Sequence, residues 1–138
     1  MRIGELVGLD IRDIAPQGRV QPRVVLEKHS TKSGKSRTVD LSEQAVSVLQ
    51  VYLRHRFLPP AKPQGPLFPS QKSARRPMSK TQASLILKKA FAAAGVEGTS
   101  SHSLRRTHAN ALRRRGVDMA IIQEQLGHAS LAIRGLRF

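Results

Sequence analysis

Four segments of this chain place apolar residues three and four positions apart, which is the spacing of one face of an α-helix. Three of these segments begin after a residue that readily caps a helix, namely Ser42, Ser79 and Asp118. Glycine, which often ends a helix, follows the last apolar position of three of them. The pattern predicts helices over residues 42–57, 80–94, 102–115 and 118–126. So much helical pattern in 138 residues restricts the chain to a mainly α fold.

The first forty residues carry a different pattern. "MRIGELVGL" is spaced like the end of an amphipathic helix, whereas the alternation in "LDIRDIA", "PRVVLEK" and "SRTVDL" predicts three short strands. Gly34 in "HSTKSGK" predicts a hairpin loop between the last two strands. We therefore expect one small three-stranded antiparallel sheet within residues 8–41 of a mainly α single domain.

The charge of the chain is strongly one-sided. Twenty-four Lys and Arg against nine Asp and Glu give a formal net charge of +15, which favours polyanions such as double-stranded DNA. Between residues 71 and 115 there are eleven basic residues and one acid, Glu97, as expected of a surface that faces phosphates. An aromatic content of 4% argues against a platform that stacks single-stranded bases. The candidates for contacts with the DNA backbone are Arg75, Arg76, Lys80, Arg106, Arg113, Arg114 and Arg115.

Several classes of protein are disfavoured. No apolar run approaches the roughly 20 residues of a membrane span, and "MRIGELVGLD" has acids at Glu5 and Asp10 where a signal peptide would be apolar. We expect a cytoplasmic, nucleoid-associated protein that does not bind membranes. The sequence has no cysteine, which excludes disulfides and thiolate metal sites, and we expect neither a metal nor a cofactor.

The stretch "SHSLRRTHAN" at residues 101–110 concentrates groups that could bind a phosphate. His102 and Arg105 share one helix face, while Leu104 and His108 lie on the apolar stripe, where His108 is expected to be a core or boundary residue. Spacing alone leaves two interpretations open: the basic flank of a DNA-binding helix, or part of a pocket for one phosphate. His128 follows Gly127, and by position alone it would complement the dipole of the preceding helix.

Five pieces of sequence together suggest a family. They are "GELVGLDIRDI" after an arginine, "TKSGKSRTVDLS", "LFPS", "SHSLRRTHANAL" and "IIQEQLGHASL", in this order. In that order they resemble the catalytic domain of the tyrosine recombinases, or phage-integrase family, particularly chromosome-dimer and integron-type recombinases. The resemblance runs from residue 2 to about residue 131, and its most specific parts are H-x-L-R at 102–105 and L-G-H at 126–128. It implies the fold of the DNA breaking–rejoining enzymes.

The resemblance also implies a chemistry in which a tyrosine hydroxyl attacks a DNA phosphate without metal or cofactor. Matched onto this sequence, the catalytic set is Arg2, Lys32, His102, Arg105 and His128. The two guanidinium groups would hold the phosphate by paired hydrogen bonds. Lys32, with Lys35 as the alternative, would protonate the departing 5′ oxygen. His102 would serve as general acid and base, and His128 would hydrogen-bond the phosphate.

The sequence departs from the family pattern at several places. Relatives carry the nucleophilic tyrosine about nine residues after the L-G-H histidine, where this chain has Arg137. The only tyrosine is Tyr52, which we expect in the core, and Gly4 stands where serine is usual. Most relatives have an N-terminal core-binding domain and further helices before the Arg2 motif, and we expect this chain to lack both. We therefore expect residues 1–138 to be one truncated catalytic domain, from a shortened gene or one frameshifted after about Leu131.

These observations leave several functions to distinguish. The first is a site-specific recombinase fragment that binds duplex DNA and carries the phosphate-activating residues but lacks the nucleophile. Its tyrosine would then come from another recombinase protomer. The alternatives are an inactive DNA-binding or regulatory module and a degenerate remnant of a recombinase gene. A type IB topoisomerase is a related reading that the L-G-H motif disfavours.

Overall fold

A computed structural model describes residues 1–27, 34–57 and 64–126 of the chain. Over these residues the helices are α1 (Ile3–Val7), α2 (Ile11–Ile14), α3 (Glu43–Arg56), α4 (Lys80–Ala93), α5 (Ser101–Arg114) and α6 (Met119–Leu126). The strands are β1 (Arg23–Leu26), β2 (Arg37–Asp40), β3 (Pro69–Ser70) and β4 (Ser73–Pro77). The fold is mainly helical with small antiparallel sheets, as predicted.

The four long helices lie where the sequence predicts them, and local chemistry explains their ends. Ser42 Oγ accepts a hydrogen bond from the Ala45 amide at 3.2 Å, and Ser79 Oγ accepts one from the Gln82 amide at 3.1 Å. Gly95 and Gly116 follow α4 and α5 with φ of +70° and +77°, the left-handed conformation that glycine adopts without strain. These capping residues fix the helix bounds to within about two residues of the prediction.

The predicted three-stranded sheet is wrong, because the described residues form two separate two-stranded sheets. Strands β1 and β2 pair antiparallel, from Arg23 opposite Asp40 to Leu26 opposite Arg37. Strands β3 and β4 form a second, polar hairpin that the apolar pattern does not reveal.

The segment "LDIRDIA" forms the single turn of α2 instead of a strand. Asp10 Oδ1 accepts from the Arg12 amide at 3.0 Å, and the Asp10 amide donates to Asp13 Oδ2 at 2.8 Å. This reciprocal cap closes a helical turn. Ile11 and Ile14, three residues apart, are then buried on one side of it.

The hydrophobic core is built mainly from the first half of the chain. Its buried members are Leu9, Ile11, Ile14, Ala15, Val20, Val24, Leu26, Leu53 and Leu67. Tyr52 packs against this core, donates a 2.9 Å hydrogen bond to the Leu67 carbonyl, and places its ring 5.9 Å from that of Phe68. The prediction that Tyr52 is a core residue is therefore confirmed.

The helices of the second half bury little surface of their own. Helix α4 packs on α1, α5 packs on α6, and α6, whose Ile122 and Leu126 are buried, packs on β2. Helix α5 has no buried residue, so the predicted apolar stripe does not enter the core. Leu104 is 45% exposed and His108 is exposed, which corrects the expectation that His108 is a core or boundary residue.

None of the helices in the described ranges is long and apolar enough to cross a lipid bilayer.

Candidate phosphate-binding site

The first turn of the chain is organised around a buried carboxylate. Arg2 is the residue that precedes α1, and its backbone amide donates to Glu5 Oε2 at 2.6 Å. The Arg2 guanidinium Nη1 also contacts Glu5 Oε1, at 3.2 Å. Because an amide at the start of a helix has no partner within the helix, an acid three residues on is well placed to accept from it. This contact sets the position of Arg2 at the molecular surface, where its side chain is 27% exposed.

Glu5 is also held by an arginine from the β1–β2 hairpin. Arg37 donates from Nη1 to Glu5 Oε1 at 2.9 Å and from Nη2 to Oε2 at 2.7 Å, and both side chains are buried. Burial alone would raise the pKa of Glu5, but the hydrogen bonds from Arg37 and from the Arg2 amide outweigh it and lower the pKa to about 2. Glu5 is therefore a carboxylate at neutral pH. The sequence does not reveal this pair, because the two residues are 32 positions apart and no periodicity connects them.

Arg105 enters the same region from the first half of α5. Its Nη2 donates to the Leu126 carbonyl at 2.7 Å, at the end of α6, while its buried Nη1 has no hydrogen-bond partner among the described residues. Burial lowers the pKa of Arg105, and the positive charges of Arg2 and Arg37 lower it further against the opposing effect of Glu5. Arg2 and Arg105, which the sequence analysis singled out, thus lie in one electrostatic environment.

The balance of charge in this cluster is suited to an anion. Glu5 supplies one negative charge to three guanidinium groups, and Arg37 already matches it in a bidentate pair. The remaining positive charge comes from two groups on different elements, and a buried N–H without an acceptor is costly to maintain. A phosphate oxygen would satisfy that donor and neutralise the excess charge.

Of the other predicted catalytic residues, the structure describes two, His102 and Lys35. His102 lies exposed in the first turn of α5, one turn before Arg105, behind a cap in which Ser100 Oγ accepts from the Ser103 amide. Lys35 is exposed in the loop that leads into β2. Lys32 and His128 lie outside the described residues. Within the described ranges no three His, Asp or Glu side chains group together as metal ligands.

The seven candidates for backbone contacts are all exposed. Arg75 and Arg76 are on β4, and Lys80 is the first residue of α4. The rest are on α5 or at its C-terminal cap: Arg106, Arg113, Arg114 and Arg115.

Lys80 lies against α1, where the small residue Gly4 leaves room for it. A Cβ atom at Gly4 would lie 2.7 Å from Lys80 Cε and 3.2 Å from its Nζ. Only the far end of a flexible side chain is involved, so glycine at this position allows the lysine to lie directly against α1.

Comparison with known proteins places the whole chain in one group. The sequence profile of the phage integrase family matches residues 1–134. The chain is 33% identical to the tyrosine recombinase XerD of Rickettsia bellii (strain RML369-C), over 96% of this chain and 45% of that protein. It is 35% identical to XerD of Mycobacterium leprae (strain TN), over 94% of this chain and 41% of that protein. The chain thus spans less than half the length of these curated relatives.

Two solved structures share the fold. The crystal structure of XerA recombinase superposes with a TM-score of 0.74 at 32% identity, over 94% of this chain and 44% of that one. The Tn1549 transposon integrase, solved in complex with a circular intermediate DNA, superposes with a TM-score of 0.66 over 94% of this chain and 47% of that one. At 19% identity, that second likeness concerns the fold alone.

Proposed function

The chain belongs to the phage integrase family, and from this premise we propose that it binds duplex DNA and activates one of its phosphates for strand cleavage. The region it spans is that of a tyrosine recombinase catalytic domain. The observation that carries the proposal is the joint position of Arg2 and Arg105, which come from opposite ends of the sequence to one positively charged cluster.

Two arginines suit the transition state of phosphoryl transfer. A five-coordinate phosphorus carries additional negative charge on its non-bridging oxygens, and fixed donors aimed at that charge lower the barrier. Each guanidinium can donate two parallel hydrogen bonds to a phosphate. Nη1 of Arg105, which has no hydrogen-bond partner among the described residues, would donate to such an oxygen.

The proton transfers are assigned by match to the family pattern. His102 would act as general acid and base for the attacking hydroxyl, and His128 would hydrogen-bond the phosphate. Lys32, or Lys35 in its place, would protonate the departing 5′ oxygen. The exposed Arg75, Arg76 and Lys80 and the arginines of α5 would hold the flanking DNA backbone.

The nucleophile distinguishes this chain from an ordinary family member. Arg137 stands at the position of the tyrosine, and Tyr52 is engaged with the Leu67 carbonyl and packed on the core. We therefore propose that the isolated chain binds DNA without cleaving it. Cleavage would require a tyrosine from a second recombinase protomer; without one, the chain would be an inactive DNA-binding or regulatory module.

Binding to a labelled duplex at a series of salt concentrations tests the proposal. Arg2→Ala and Arg105→Ala should each weaken binding and flatten its salt dependence, because each removes a phosphate contact. Arg12→Ala is the matched control, since Arg12 is exposed and paired with Asp10. Equal losses in all three variants would show that only net charge matters and would refute the site.

A further inference from the structure

Arg37 is the first residue of β2, and it pairs in register with Leu26, the last residue of β1. Lys32 and Lys35, the two candidates for the general acid, stand between these two strands in the sequence. The placement of Arg37 therefore depends on the β1–β2 pairing and on the group that binds its side chain.

The group that holds Arg37 is the same carboxylate that holds Arg2. Glu5 Oε1 accepts from Nη1 of Arg37 and from Nη1 of Arg2, at 2.9 and 3.2 Å. Glu5 Oε2 accepts from Nη2 of Arg37 and from the backbone amide of Arg2, at 2.7 and 2.6 Å. Both oxygens are shared, so the two arginines are held in a fixed relation by one side chain.

A contribution to stability alone does not explain this pair well. Desolvating two charges costs about as much as their attraction returns, and apolar residues of similar volume often serve as well. Unlike apolar packing, an ion pair fixes the orientation of its side chains, because its hydrogen bonds are directional. Here Arg37 donates to both oxygens of Glu5, one from each terminal nitrogen, and Arg2 Nη1 also contacts Oε1.

We propose that Arg37 is a positioning residue, which aligns Arg2 through Glu5. This inference rests on the proposed function, in which Arg2 binds a DNA phosphate. Arg37 itself would not touch the phosphate, since its side chain is 5% exposed and its two terminal nitrogens are committed to Glu5.

Arg37→Lys tests the proposal without changing the net charge. Lysine lacks the planar fork and cannot hold both oxygens of Glu5 in parallel. We expect the slope of log affinity for a labelled duplex against log salt to flatten by about 0.9, the loss of one phosphate contact. Arg2→Ala should give the same change, and the double variant Arg2→Ala/Arg37→Lys should give no further one.

Two further variants control the measurement. Arg23→Lys alters an exposed arginine on the same hairpin, which contacts Asp40 at 2.8 Å, and should leave the slope unchanged. If Arg37→Lys does not fold, the charge-balanced variant Glu5→Gln/Arg37→Gln replaces it, since two amides can hydrogen-bond each other in the same space. It should also lower the slope, with no further loss on adding Arg2→Ala.

The outcomes separate this inference from the function on which it rests. An unaltered slope in the folded Arg37 variants, or a loss that adds to that of Arg2→Ala, overturns the positioning role while the proposed function stands. A flat salt response of the unmodified chain overturns the proposed function, and the positioning role with it.

Discussion

Arg105 and Leu126 are joined by a 2.7 Å hydrogen bond from the guanidinium Nη2 to the backbone carbonyl. The bond gives the Leu126 carbonyl a charged donor and orients the arginine. One edge of Arg105 is thereby occupied by the protein, while Nη1 on the same group stays without an acceptor among the described residues.

Replacement of Arg105 should therefore affect both stability and binding. We expect Arg105→Ala to lower the free energy of unfolding by about 1 to 3 kcal/mol, because it leaves the Leu126 carbonyl without its charged donor. Arg105→Lys should retain part of the stability but weaken duplex binding, since an ammonium cannot serve the carbonyl and a phosphate in one plane. Urea unfolding and fluorescence anisotropy measure the two effects.

Arg106→Ala provides the comparison, because Arg106 is the exposed neighbour on the same helix. Its unfolding free energy should stay within about 0.5 kcal/mol of the unmodified chain. If Arg105→Ala changes the free energy of unfolding as little as Arg106→Ala does, the bond to Leu126 does not contribute to stability.

The acid limb of the stability curve should depend on Glu5. Its pKa in the folded chain is about 2, against 4.5 ordinarily, so the folded state favours the ionised form. The resulting stabilisation is fully present above pH 4.5 and is lost as the pH falls toward 2. A depression of this size corresponds to about 3 kcal/mol. Urea unfolding at a series of pH values measures it.

Glu5→Gln is the variant that isolates this effect. It cannot ionise, so its stability should change less between pH 5 and pH 2 than that of the unmodified chain. At pH 7 it should be destabilised by about 3 to 5 kcal/mol, because Arg37 is left as a buried charge without its counterion. A difference between the two proteins that is constant over this pH range would contradict the assignment.

The end of α5 should account for several phosphate contacts. Replacing Arg113, Arg114 and Arg115 with alanine should flatten the slope of log affinity against log salt by up to about 3, at roughly 0.9 per contact. A triple variant at Arg12, Arg19 and Arg54 removes the same charge from exposed positions outside residues 71–115. Similar slopes for the two triple variants would show that the binding is a response to net charge alone.

The isolated chain should form no covalent link with DNA. The residues proposed for the site would stabilise charge and move protons, and we expect none of them to act as the nucleophile. A nicked suicide duplex, analysed on a denaturing gel, should show no adduct for this chain. An adduct that Tyr52→Phe abolishes would overturn this expectation.

Tyr52→Phe should instead report on the core. It removes the hydrogen bond to the Leu67 carbonyl, for an expected loss of about 1 kcal/mol of unfolding free energy.

A full-length XerD relative can be added to this chain and the nicked duplex in a separate experiment. An adduct on that relative whose yield depends on Arg105 of this chain would indicate a tyrosine supplied by a second protomer.

The sequence predicted well those features that depend on neighbouring residues. The starts of α3 and α4 follow from the hydroxyls of Ser42 and Ser79, and the ends of α4 and α5 follow from Gly95 and Gly116. The same local chemistry explains the error at α2. Alternation over a few residues also fits one helical turn, and the reciprocal cap at Asp10 decides between the two.

The site could be predicted only where a motif marked it. Arg2 and Arg105 were found by resemblance, and the structure brings them into one electrostatic environment. Glu5 and Arg37 form their pair across 32 positions, and no periodicity connects them. The polar β3–β4 hairpin has no apolar alternation to reveal it. His108 was misplaced because helical spacing indicates which residues share a face, but not whether another element covers that face.

The contact between α6 and β2 links the elements that carry the arginine cluster of Arg2, Arg37 and Arg105. Arg105 is hydrogen-bonded to the last residue of α6, and α6 packs on β2. Strand β2 in turn carries Arg37, which binds the Glu5 carboxylate that also contacts Arg2. Arg2 and Arg105, the two arginines proposed to bind phosphate, are therefore connected through a continuous series of contacts. Loss of any one of these contacts should displace both arginines. Formation of the pocket and docking of α6 should therefore be a single cooperative event.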